Sequence, residues 1–164
     1  MKKAAILLVS LLSLGSLSAC SSDVTIKPEK TEVKMMKQTV TYISEHGFAD
    51  TVSRLKQALA ARKLNVFTEV DHAKGAKAAD LDLNSSHLIL FGNPKVGTLM
   101  MKKNIEMGID LPMKALIFEQ DNQVKVIMTD IKAVAETHGL DSSVPPVSKV
   151  ADVLNAIALE ATRK

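Results

Sequence analysis

The sequence predicts an α+β fold, a single compact domain with a mainly antiparallel sheet and helices on one face. Three observations carry that prediction. Short β-branched runs alternate with stretches of helical period along residues 37–164. Two strand-like arms, MKALIFEQ and QVKVIMT, flank Asp121-Asn122, a two-residue hairpin signal. In the second arm Val124, Val126 and Met128 alternate with Lys125 and Thr129, which suits a sheet with one covered face and one partly wet face.

Residues 37–43 (KQTVTYI) have the β-branched content of a strand, and Gly47 ends the turn that follows. In FADTVSRLKQALAARK (48–63), Phe48, Val52, Leu55 and Leu59 recur at helical spacing, while Asp50, Arg54, Gln57 and Arg62 face away. Asp50 in the first turn and Arg62 in the last each complement the helix dipole. NVFTEVD (65–71) reads as a second strand, followed by an alanine-rich helix over 72–80. Residues 87–91 make a third strand, 94–103 a further helix, and the two arms of the hairpin come next. A short helix over 131–138 stops at Gly139, a residue suited to follow a helix end. DSSVPP (141–146) breaks the chain, and the last helix carries Val150, Leu154, Ile157 and Ala161 as its stripe. This order places helices against one sheet.

The N-terminus reads as an address rather than as structure. Lys2 and Lys3 precede an apolar run, residues 4–17, too short to span a bilayer. It ends in Leu17-Ser18-Ala19-Cys20, which resembles the bacterial lipoprotein signal box. The resemblance implies cleavage of residues 1–19 and lipidation of Cys20, several acyl chains giving a stable membrane anchor. Ser21 in place of Asp implies transfer to the outer membrane, facing the periplasm. Residues 20–36 then form the anchor and a flexible tether, and 37–164 the domain. Cys20 is the single cysteine, so no internal disulfide forms. Loss of Lys2 and Lys3 lowers the net charge from +3 to about +1. No Lys/Arg block with interleaved aromatics remains, which argues against a nucleic-acid partner.

FGNPKVGT (91–98) has the outline of a phosphate-binding loop between a strand and a helix. Such a loop needs successive inward N–H groups and a Lys after its second glycine. Pro94 removes one N–H, and Thr98 stands where the Lys is needed. The favoured reading is a structural turn: Gly92 leaves the strand, Asn93 caps the helix and Pro94 takes its first position. Asn93 keeps a second reading as a ligand contact at that helix start.

EVDHAKGA (69–76) is the stronger candidate for chemistry. Asp71 beside His72 at a strand end could orient an imidazole for proton transfer, although Asp71 also suits a helix cap. His46, His72, His87 and His138 are scattered without metal-ligand spacing, so no metal or cofactor is expected. Met100, Met101, Met107 and Met113 around Gly108 read first as core filling and second as an adaptable pocket.

Asp71-His72 with Gly75-Ala76, the strand ending in FGNP, and Asp110-Leu111-Pro112 opening a strand together resemble the domain of unknown function 302 family. The resemblance covers about residues 39–139. It implies a TATA-binding-protein-like β-α-β4-α arrangement, homodimer formation, and no established chemistry. The chain departs from the family pattern near Met128, where the resemblance implies a tyrosine, and at Phe118, where tryptophan is common.

The leading functional expectation is a lipid-anchored, periplasm-facing module that binds a small ligand or a protein partner without catalysis. The alternatives are an enzyme centred on Asp71 and His72 near the FGNP turn, and a structural dimeric envelope protein.

Overall fold

The structure, a computed structural model, describes residues 37–164. The signal segment, Cys20 and the tether fall outside them. The elements are β1 (Thr39–Ile43), α1 (Phe48–Ala61), β2 (Asn65–Asp71), α2 (His72–Ala78), β3 (Ser86–Gly92) and α3 (Pro94–Met101). A 3-10 turn (Ile105–Ile109) comes next, then β4 (Met113–Gln120), β5 (Gln123–Thr129), α4 (Ile131–Thr137) and α5 (Val147–Thr162). The α+β class and the β-α-β4-α order stand, with α2, α3 and the 3-10 turn inserted between strands. The 3-10 turn has no periodic signal in the sequence, since five residues are too few to show one.

The five strands form one sheet in the order β1-β5-β4-β3-β2. Every neighbouring pair is antiparallel. At the β4–β5 hairpin Asp121 and Asn122 both take positive φ, 54° and 57°, the backbone that a two-residue primed turn requires. Register then sorts the side chains by face. Ile89, Phe91, Met113, Ala115, Ile117, Val124, Val126 and Met128 share the covered face and are buried.

Against that face α1 buries Leu55, Ala58 and Leu59, and α5 buries Leu154, Ile157, Ala158 and Ala161. Phe48 and Val52, read as part of the α1 stripe, pack against the same core while partly buried. Met128 is a core residue, a flexible space filler on the covered face. The buried hydroxyls are satisfied locally: Thr162 donates to the Ala158 carbonyl at 2.7 Å, and Thr51 to the Gly47 carbonyl at 2.9 Å. No buried side-chain N or O lacks a partner among the described residues. The described residues hold one hydrophobic core cluster and fall in one compact unit, as expected of a domain that folds by itself.

The other sheet face is less covered. Val70, Leu88, Leu116, Ile127 and Thr41 form a row across all five strands, and all of them remain partly or fully exposed.

Helix ends follow their chemistry. Asp130 caps α4 by accepting from the N–H groups of Lys132 and Ala133. At its far end Gly139 has φ 69°, and the Leu140 N–H donates to the Ala135 carbonyl at 2.8 Å, closing the helix in a Schellman arrangement.

One charged cluster ties α1 to β2 and β3. Glu69 accepts from Lys56 at 2.7 Å and bonds His87 Nε2 at 2.8 Å. The Lys56 ammonium is the largest influence on the Glu69 carboxyl. With the smaller help of His87 it outweighs partial burial and holds the carboxyl below its usual range. A depressed carboxyl contributes stability that is present above its unfolded value, near 4.5, and lost as pH falls through the lower folded value. Glu69→Gln should therefore lose less Tm than the wild type on acidification from about pH 5 to 3. Calorimetry showing the same slope in both would rule this contribution out.

Candidate functional site

A cleft of about 1240 Å³ opens among the described residues at the end of the sheet where β3 finishes. Its lining comes from the α1–β2 connection, Phe67 of β2, the end of β3, α3, Gly108, residues 111–113, and residues 145–154 at the start of α5. Its walls are mainly apolar, with Leu90, Phe91, Met100, Met101, Met113 and Leu154 among them. Phe67, Leu99 and Val153 line it while 52%, 53% and 36% exposed, a large apolar surface for a chain with four phenylalanines.

Phe67 reaches the cleft through a bulge. Val66 pairs with Phe91 and Thr68 with Leu90, leaving Phe67 as an extra residue on β2. Its ring lies against Gly92, where an added Cβ would meet it at 3.6 Å. Gly92 is thus the paired last residue of β3 with no positive φ, and its missing side chain makes room for Phe67 and Pro112. The strand ends at Gly92 and α3 opens at Pro94, so the chain leaves the sheet there without a left-handed glycine.

The turn after it is a helix cap. Asn93 has extended backbone, its Oδ1 accepts the Lys95 N–H at 3.0 Å, and Pro94 opens α3. Both residues line the cleft, so the cap and the candidate site coincide. The methionines unite the two readings given above. Met100, Met107 and Met113 are buried, and Met100, Met101 and Met113 also face the cleft.

Asp71 and His72 are elsewhere. Asp71 pairs with His87, whereas Gly92 pairs with Asn65 at the other end of the same ladder. The five-residue separation along β3 spans roughly 17 Å at about 3.4 Å per residue. Asp71 caps α2 by accepting the Lys74 N–H at 2.8 Å, and His72 is exposed in the first turn. The composite site joining Asp71 and His72 to Asn93 is not formed.

Other histidines do meet carboxylates. His46 bonds Asp50 at 3.2 Å, His87 bonds Glu69, and His138 bonds Asp110 at 2.7 Å. The last pair, with Lys114 Nζ donating to the Asp110 carbonyl at 2.8 Å, fastens α4 to the segment that walls the cleft. No three His, Cys, Asp or Glu side chains converge as metal ligands among the described residues.

Sequence reading missed Arg62 as a wall residue, along with Phe67, Leu99, Lys149 and Val153. The available signal was apolar residues off the buried stripes: Val153 beside Leu154, and Leu99 beside Met100. The Val66–Thr68 bulge leaves no such trace.

The cleft can hold an apolar body of considerable size. At this volume it exceeds the roughly 300–1,000 Å³ usual for small-molecule sites. Among the described residues that line it few are polar, and none form an acid–base or nucleophile pair.

Known proteins place the chain. A protein named Fluoride-specific ion channel FluC 1 from Brucella suis biovar 1 is 42% identical over 106 residues, 63% of this chain and 41% of that protein. One of the same name from Brucella abortus biovar 1 is also 42% identical over 106 residues, 39% of its length. The chain therefore spans about two fifths of these relatives. A crystal structure of an uncharacterized conserved DUF302 protein from Bacillus stearothermophilus shares the fold, with TM-score 0.68 and 18% identity over 78% of this chain and 100% of that one. The match to the family described as Domain of unknown function DUF302 runs over residues 39–160, past Gly139 and into α5, and the chain belongs to that family.

Proposed function

We propose that the protein is a lipid-anchored, periplasm-facing module that binds an apolar small ligand in the cleft at the end of β3 and performs no chemistry on it. The observation that carries this reading is the cleft itself. It is large, mainly apolar, and bordered by exposed Phe67, Leu99 and Val153. Burial of apolar ligand surface there supplies affinity at roughly 25 cal/mol per Å² before the costs of association. No helix among the described residues is long and apolar enough to cross a membrane. Lipid on Cys20 would supply the attachment. That relatives carry the matched segment in proteins named as ion channels supports a working position at a membrane.

A second reading concerns the partner. The apolar row Val70, Leu88, Leu116 and Ile127 on the open sheet face favours a homodimer that covers it.

Residues 37–164 should bind the neutral fluorescent probe N-phenyl-1-naphthylamine, and Leu99→Asp and Val153→Asp should each weaken binding about tenfold by charging an apolar wall. Equal titration curves for the three proteins would overturn the cleft reading. For the anchor, the full chain should incorporate labelled palmitate and stay with the membrane fraction, whereas Cys20→Ser should lose both. Unchanged labelling in Cys20→Ser removes the anchor from the proposal. For the dimer, sedimentation at micromolar concentration should show two copies of residues 37–164, and Leu116→Lys should be monomeric. A wild-type monomer at that concentration excludes the second reading.

A further inference from the structure

We infer that the ligand of the cleft is a single-chain amphiphile with an anionic head, of the long-chain carboxylate class, seated with its head at Lys149. This rests on the cleft reading above and adds the ligand's charge and polarity.

Charge complementarity carries it. Among the described residues two ionisable side chains line the cleft, Arg62 and Lys149, and both are cations, with no Asp or Glu beside them. Arg62 is already neutralised, since its guanidinium forks onto the Glu160 carboxylate through Nη1 at 2.8 Å and through Nη2. Lys149 is exposed and forms no ion pair among the described residues.

Its position sharpens the point. Lys149 stands in the first turn of α5, a helix of 16 residues that has no side-chain cap bond and no acid in that turn. A cation there is disfavoured by the helix dipole, and an anion is favoured. The two positive sources add at one edge of an otherwise apolar space. A cationic ligand would meet uncompensated repulsion at that edge, and a neutral one would leave its potential unused.

The size and lining fit a chain rather than a compact polar metabolite. The Met100, Met101 and Met113 side chains adapt to a flexible hydrocarbon, and the cleft offers few hydrogen-bond partners along its walls. A long Lys stem can lie on an apolar wall while its ammonium stays at the water boundary, which is where a carboxylate head sits.

The test uses residues 37–164 loaded with N-phenyl-1-naphthylamine and displaced by dodecanoate, dodecan-1-ol or dodecyltrimethylammonium, each below its micelle concentration. Dodecanoate should displace the probe at about tenfold lower concentration than the other two, as expected for one charge-assisted contact. Decanoate and tetradecanoate should bracket it, with affinity rising by roughly two- to fourfold per methylene. Lys149→Glu should abolish the advantage of dodecanoate and leave dodecan-1-ol within about twofold of its wild-type value. Lys149→Met, which keeps the apolar stem, should do the same and guards against a folding defect in the charge reversal. Equal potency of all three amphiphiles, or dodecanoate unchanged in both variants, overturns the anionic-head assignment while the cleft remains an apolar site. Failure of the probe itself to bind overturns the cleft reading and this inference with it.

Discussion

The packing of α1 and α5 over one face of the sheet is the constraint on which the rest depends. Antiparallel strands alternate their side chains between faces, so one covered face suffices to bury Ile89, Ala115, Ile117, Val126 and Met128. Both helices are finite. α1 ends at Ala61 and α5 begins at Val147, and both ends lie where β3 leaves the sheet. The helix layer runs out there before the sheet does. The cleft is the space left over, walled by α3 and the Asp110-Leu111-Pro112 segment without being filled by them. A core that seals the centre of the domain therefore creates an apolar opening at its margin.

That margin was only partly legible in the sequence. The cap formed by Asn93 and Pro94 could be read because its chemistry is local: an oxygen bonds an N–H two residues on. The hairpin at Asp121-Asn122 and the stop at Gly139 were readable for the same reason, each resting on the backbone preference of one or two residues. The cleft was not readable, since its walls come from stretches separated by up to about 90 residues and meet only through strand register. Adjacency also misled. Asp71 and His72 are neighbours in the chain and take separate structural roles, whereas His87 and His138 find carboxylates 18 and 28 positions away.

Three surfaces of the domain lie apart in space. The covered face of the sheet supplies stability and is closed. The open face, with Leu116 near its middle, stays partly exposed. The cleft lies at one end, and Asp71 and His72 lie at the other. The His138–Asp110 bond links α4 to one wall of the cleft, so that wall is held by tertiary contact rather than by the loop's own preferences. Charge is sorted likewise, with no carboxylate among the described residues that line the cleft and Arg62 held by Glu160 on the helix surface.

The extra residue at Phe67 gives the cleft an unusual genetic sensitivity. Because Val66 and Thr68 already pair with the consecutive residues Phe91 and Leu90, losing the codon for Phe67 would leave an unbroken ladder and an intact core. The cleft alone would be altered, stripped of the ring that rests against Gly92. A three-nucleotide deletion or insertion at this point could therefore add or remove a wall of the cavity without selection having to rebuild the fold. A change in the length of one strand would thus reshape this cleft while the scaffold is kept.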